Sequence, residues 1–270
     1  VGGGTGVDGG VRNPGVNYVF GAAGDATDVE LSYDHDVSGH TDKITYLSPV
    51  FNGFQAGVSY TPDGSNAGDL SGVHFDNVAD DTFGATYEGG LRYEGNFNNV
   101  GVILGTGYSH TELESAPTAA SVGVYDPSDD REAWNVGADF DIGPFGIGAI
   151  YTEDDFGERY QTAALTATKV DDEQKFVLGA DYTTGPFKIG ASWMNVDNTF
   201  GIQDLETDRY TGGVVYTYGP GLTFRGSVSY VEHDLDNIGG VSDGVAANVS
   251  GHGIDEVSAT SVLLGTQIDF

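Results

Sequence analysis

Hydrophobic and polar residues alternate with a period of two along most of this chain. Phe54, Ala56, Val58 and Tyr60 alternate with Gly and small polar residues. Trp134, Val136, Ala138, Phe140 and Ile142 alternate with Asn135, Gly137, Asp139 and Asp141. The same rhythm places Phe176, Leu178, Ala180 and Tyr182 on one stripe, then Phe187, Ile189, Ala191 and Trp193. It continues through Tyr210 to Tyr218, Leu222 to Tyr230, and Val262 to Phe270. Less regular runs cover 43–48, 86–95, 99–108 and 145–151. Period two is the signature of strands with two unlike faces. Helix signals are scarce, because Gly recurs throughout and destabilises a helix wherever it falls. The pattern predicts eleven strands between residues 43 and 270.

The connections alternate in length. Short ones are 49–52, 96–98, 143–144, 184–186 and 219–221, built from the turn formers Gly, Pro and Asn. Long ones are 61–85, 109–132, 152–174, 194–208 and 231–259. One short-turn edge opposite one long-loop edge predicts an all-β, up-and-down antiparallel meander.

Charge sharpens this picture. The chain carries 41 Asp and Glu against 10 Lys and Arg, a formal net charge of -31. All the acids except Glu88, Glu94, Asp139, Asp141, Asp181 and Asp269 fall in the predicted long loops or the first 42 residues. Those six, and Lys43, Arg92, Lys175, Lys188, Arg209 and Arg225, take the parity opposite the apolar stripe. No charged residue within the predicted strands shares the apolar face. Aromatic residues close that face at the strand ends: Tyr60, Tyr93, Tyr108, Tyr151, Tyr182, Phe187, Trp193, Tyr218 and Tyr230. An apolar outer band between aromatic girdles, with a polar inner face, predicts a transmembrane β-barrel. A soluble β-sandwich or propeller also alternates, and is the competing reading.

Composition excludes several classes. So acidic a chain repels nucleic-acid phosphates, so no nucleic-acid partner is expected. With no Cys there is no disulfide, no thiolate chemistry and no Cys-ligated metal. At 39% hydrophobic residues the chain is too apolar for a solvated tail. No apolar run approaches the roughly 18 residues a spanning helix needs. The sequence opens on Val1 without a signal-like segment, so processing or missing upstream residues are both open.

Three stretches carry a family resemblance. The first is KITYLSPVFNGFQAGVSYTPD over 43–63, the second GLRYEG over 90–95, and the third the repeated Gly-Pro-Phe turns at 143–145 and 185–187. With the closing Phe270, they resemble Gram-negative general porins of the alphaproteobacterial type over residues 42–270. The resemblance implies a sixteen-stranded barrel in the cell outer membrane, a homotrimer, and contact with lipid bilayer and lipopolysaccharide. It also implies that Phe270 belongs to the signal read by the barrel-assembly machinery. Eleven strands fall short of sixteen, and bacterial single-chain barrels have even strand numbers. Five upstream strands absent from this sequence would explain the gap. A complete twelve-stranded barrel, with 16–20 or 28–33 as the extra strand, is the alternative.

Counted back from the last strand, residues 1–42 fall on the long third loop, which in porins folds into the lumen and narrows it. Asp25, Asp28, Glu30, Asp34 and Asp36 are then the constriction acids. Lys43 and Arg92 are the first choices for opposing basic residues, followed by Lys175, Lys188, Arg209 and Arg225. Opposed charges in a narrow pore create a transverse field that orients dipolar solutes. The acid excess predicts a preference for cations. The expected function is passive diffusion of ions and small hydrophilic solutes.

Other motifs carry less. Gly4-Thr-Gly-Val-Asp-Gly9 matches G-x-G-x-x-G but lacks the preceding strand and following helix that a dinucleotide site needs. Residues 34–39 resemble half an EF-hand loop, but Thr45 stands where the bidentate Glu belongs. Calcium ions on Asp34 and Asp36 are the one cofactor left open, and a soluble calcium-binding adhesin is a competing class. The His residues at 35, 40, 74, 110, 233 and 252 fall in predicted loops or at their edges, and none forms a helical metal pair. Ser109–His110 and His233–Asp234 are strand neighbours pointing to opposite faces, so neither makes a rim hydrolase dyad. A twelve-stranded translocator with a helix through its pore is the last alternative. No enzyme activity is expected.

Overall fold

The computed structural model describes residues 37–38, 41–62, 83–114, 129–157, 172–200, 203–236 and 256–268. All their regular structure is β. The strands are β1 (Ile44–Leu47), β2 (Phe54–Thr61), β3 (Phe83–Phe97), β4 (Val100–Leu113), β5 (Arg131–Ile142), β6 (Phe145–Asp154), β7 (Glu173–Thr184), β8 (Phe187–Phe200), β9 (Gln203–Gly219), β10 (Leu222–Asp236) and β11 (Glu256–Ile268). They form one sheet in sequence order, every neighbour antiparallel. Among the described residues, β1 and β11 are the edges and do not pair with each other.

The short turns work as the sequence implies. Asn98 and Asn99 both have positive φ, 48° and 66°, the type I′ pattern whose twist matches a hairpin. Gly53 has φ 86°, and a Cβ there would sit 2.3 Å from the Glu94 carbonyl oxygen, so only Gly fits. The Gly143-Pro144 and Gly185-Pro186 turns are tied to the next hairpin by Thr183 N–H to Pro144 O and Thr217 N–H to Pro186 O, both 2.8 Å.

Burial is inverted relative to a water-soluble domain. Ile189 is 52% exposed, Val228 49% and Leu178 42%, although all lie on strands inside the sheet. Their neighbours of opposite parity are covered: Thr86 and Ser109 are 1% exposed, and Thr211 and Arg209 are also buried. A soluble sandwich buries its apolar face, so this sheet is not one. The outward face carries two aromatic rows. The row toward the long loops includes Tyr60–Tyr87, Trp134–Tyr151 and Phe176–Trp193, with ring centroids 5.2, 5.2 and 5.8 Å apart. The row toward the short turns includes Phe145–Tyr182 at 5.0 Å and Phe187–Tyr216 at 4.8 Å.

Two expectations need correction. The long connection at 194–208 does not exist as such: β8 runs to Phe200, β9 starts at Gln203, and the two pair throughout. The other long connections are shortened too, because β3, β4, β6, β10 and β11 extend past their apolar segments. His110 accordingly stands within β4 and His233 within β10, rather than in loops. The extensions also carry charge onto the outward parity. Glu112, Glu132, Glu153, Asp197, Glu206, Asp208, Glu232 and Asp234 share it with the apolar stripe. They lie beyond the aromatic row, where strands still pair through backbone bonds but no longer face hydrocarbon.

Candidate functional site

The polar face is built by the alternate residues of each strand. Cross-strand partners share a face, so the register aligns Arg92, Gly105, Gly137, Ile150, Val177, Met194, Arg209 and Val231 in one inward row. Two residues nearer the short turns runs Glu94, Ile103, Asp139, Gly148, Gly179, Ser192, Thr211 and Ser229. The next row holds Asp141, Gly146, Asp181 and Gly190. The sequence-derived basic residues Lys43, Arg92, Lys175, Lys188, Arg209 and Arg225 all take this inward parity.

The alternation of faces does not by itself reveal the ion pairing within this wall. Arg92 pairs with Glu94 at 2.6 Å, Lys175 with Glu173 at 2.7 Å, and Lys188 with Asp181 at 3.1 Å. Arg131, also unforeseen, makes a two-point contact with Asp154 and lies over the Phe156 ring, 4.7 Å from its centre. Two of these pairs are two residues apart on one strand, a spacing that puts both side chains on one face and could have revealed them. Arg225 donates to Gln267 Oε1 across β10 and β11. Arg209 is buried on β9 between Met194 and Val231.

Asp139 and Asp141 are different. Neither makes an ion pair among the described residues. Gly101 leaves the space that Asp141 occupies: a Cβ there would come within 3.1 Å of Asp141 Cβ, just as one on Gly146 would come within 2.6 Å of Oδ2 of the paired Asp181. Asp141 therefore occupies space that a larger side chain at position 101 would contest.

At the long-loop edge Ser38 is 1% exposed and sits against the polar face of β3. Its hydroxyl donates to Glu88 Oε2 at 2.6 Å and accepts from Lys43 Nζ at 2.6 Å. Past β6, Asp155 Oδ1 accepts N–H bonds from Glu132 at 2.7 Å and Gly157 at 3.1 Å. Burial is the largest influence on this carboxyl; it outweighs those bonds and raises its pKa, with Asp154 and Asp172 adding to the rise.

The constriction acids Asp25, Asp28, Glu30, Asp34 and Asp36, and the closing Phe270, lie outside the described residues. Among the described residues no cluster of His, Asp and Glu could hold a metal ion.

A meander that turns large apolar side chains outward between aromatic rows, and charges inward, is the wall of an outer-membrane β-barrel. The chain belongs to the Gram-negative porin family, whose family model matches residues 1–236. That family consists of channels rather than enzymes. No curated protein matches the chain. Among solved structures, Pseudomonas putida OprB is similar with a TM-score of 0.53 and 12% identity, over 83% of this chain and 58% of that one. Acinetobacter baumannii OccAB4 gives 0.49 and 10%, over 83% and 52%. Salmonella typhi OmpF, in complex with daunomycin, gives 0.48 and 16%, over 94% and 72%. The chain thus spans less than two thirds of OprB and OccAB4. The OprB likeness is one of fold alone.

Proposed function

We propose that this chain forms the wall of a water-filled outer-membrane channel, through which ions and small hydrophilic solutes diffuse passively, cations in preference. The observation that carries this is Asp139 and Asp141 standing on the polar face without an ion pair among the described residues, while Arg92 and Lys188 are already paired with Glu94 and Asp181. Paired charges cancel at a distance, and the unpaired carboxylates set the sign of the local field. The wall pairs modify the expected transverse field: Arg92, Lys175 and Lys188 answer acids of their own wall first.

Residues 1–42 form the narrowing, with Asp25, Asp28, Glu30, Asp34 and Asp36 as its acids; the placement of Ser38 against Glu88 supports this. Three copies assemble through the outward small residues Ala138, Ala149, Ala180 and Ala191. A groove of about 490 Å³ at Leu91, Leu104, Val136, Ala138, Ala149 and Tyr151 supports that contact. Phe270 serves the barrel-assembly machinery. The acids of the long loops bind divalent cations that bridge to lipopolysaccharide phosphates. Chelator-insensitive association with lipopolysaccharide would remove that last proposal.

The test is the reversal potential of the reconstituted chain in a potassium chloride gradient. The sign expected is that of a cation-preferring channel, weakening as salt screens the wall. An anion-preferring sign overturns the reading.

A further inference from the structure

We infer that the Arg92–Glu94 pair on β3, with the glycine floor beside it, is a subsite for small zwitterions of the α-amino-acid type. Resting on the channel reading above, the site adds the class of solute that this stretch of wall favours.

Exposure sets the pair apart. The side chains of Arg92 and Glu94 are 41% and 59% exposed, whereas those of Lys175 and Glu173 are 11% and 5%. The inward pairs Lys43–Glu88, Arg131–Asp154 and Lys188–Asp181 are also covered more closely on both members. Arg92 Nη2 donates to Glu94 Oε2 at 2.6 Å, and among the described residues neither side chain makes a second hydrogen bond. A guanidinium has five N–H donors, so most of them remain open, as does Glu94 Oε1. An exposed pair on one strand adds little to stability, so folding does not account for it.

The wall on the loop side of the pair is bare backbone. Gly57, Gly90 and Gly107 are cross-strand partners on β2, β3 and β4 and share the inward face with Arg92. Gly90 is two residues from Arg92, roughly 7 Å along the strand. Within 4 Å, a Cβ on Gly90 would meet only the Thr106 carbonyl oxygen, at 3.4 Å. The ends of the row are closed. Leu47 Cδ1 lies 3.3 Å from where a Gly57 Cβ would stand, and Asn135 Oδ1 lies 3.1 Å from that of Gly107. The recess between them has an apolar end, a polar end and a charged lip.

These parts select among charge types. An anion at Arg92 is repelled by Glu94, and a cation at Glu94 is repelled by Arg92. A solute carrying both charges gains from both residues at once. An α-amino acid holds its ammonium and carboxylate on one carbon, so its head can lie antiparallel to the pair. Its carboxylate then takes the open N–H donors of Arg92, its ammonium takes Glu94 Oε1, and its side chain rests on the glycine floor. Binding at so exposed a site is weak enough to release the solute, as passage requires.

Proteoliposome swelling with the full chain tests this, comparing entry of L-alanine with that of lactamide, an uncharged molecule of nearly the same size. The alanine-to-lactamide rate ratio should be about two- to fivefold higher in the parent than in Arg92→Gln with Glu94→Gln, the range of an exposed ion pair. Ser192→Ala, on the inward face of β8 away from the recess, should keep the parental ratio. A second measurement needs no variant: the parental ratio should fall as potassium chloride rises from about 10 mM to about 1 M and screens the pair. Equal ratios in parent and double variant, an equal loss in Ser192→Ala, or a ratio indifferent to salt would overturn the subsite alone. A parent that admits neither solute would overturn the channel reading and the subsite with it.

Discussion

Val228 and Ser227 are adjacent on β10, yet the register sends them to different solvents. Val228 lies opposite Gly212 and Val262 on the apolar face, while Ser227 lies opposite Gly213 and Leu263 on the polar face. Along β10, Val228 is two residues from Tyr230 of one aromatic row and four from Phe224 of the other. At about 3.3 Å per residue and a tilt near 40°, those steps are roughly 5 Å and 10 Å along the membrane normal. Val228 is therefore well inside the apolar band. A lysine at the midplane of a barrel's lipid face costs about 2–4 kcal/mol, falling toward zero at the interfaces. Val228→Lys should accordingly cost about 2 kcal/mol, roughly a thirtyfold loss in the folded-to-unfolded ratio. Ser227→Lys adds a charge where water and Arg225 already stand and should stay within about 0.5 kcal/mol of the parent. The assay is denaturant-dependent folding into lipid vesicles, followed by tryptophan fluorescence. Equal costs for the two variants, or a larger one for Ser227→Lys, would refute the assignment of faces.

Other consequences are as direct. Asp139→Asn with Asp141→Asn should lower the cation-to-anion permeability ratio severalfold, since one unit charge at 4 Å in water is worth about 1 kcal/mol; the reversal potential reads it, and an unchanged ratio would move selectivity elsewhere. Arg131→Lys should cost about 1–2 kcal/mol in the same folding assay, because an ammonium cannot reproduce the two-point contact with Asp154 or lie as well over Phe156. The raised pKa of Asp155 means that its proton is held more tightly in the folded state than in the unfolded one. Its contribution to stability is therefore complete below the ordinary carboxyl value and declines as pH rises through the raised one. Asp155→Asn should flatten that decline just above the ordinary value while keeping the Oδ1 acceptor, which unfolding curves across that window would show.

The faces of this sheet are legible in the sequence because lipid and water impose opposite demands on alternate residues. Phe176, Leu178 and Ala180 against Lys175 and Asp181 need no coordinates to be assigned to two sides. The strand ends are legible only in part. Between Glu206 and Tyr210 the period of two persists, but the outward residues turn acidic where β9 leaves the apolar band, so a search for an apolar stripe stops too early. Backbone pairing does not depend on that stripe, and β8 and β9 continue to Phe200 and Gln203. The wall pairs divide in the same way. Arg92–Glu94 and Glu173–Lys175 follow from spacing along one strand, whereas Lys188–Asp181 needs the hairpin register and Ser38–Glu88 needs a contact 50 residues apart.

The central claim is that the polar face bounds water continuous across the membrane. Single-channel recording of the detergent-extracted, reconstituted chain tests it most directly. Discrete, ohmic steps that grow with salt concentration and carry a cation-preferring reversal potential are expected. Inserted, folded protein that passes no ions would contradict it.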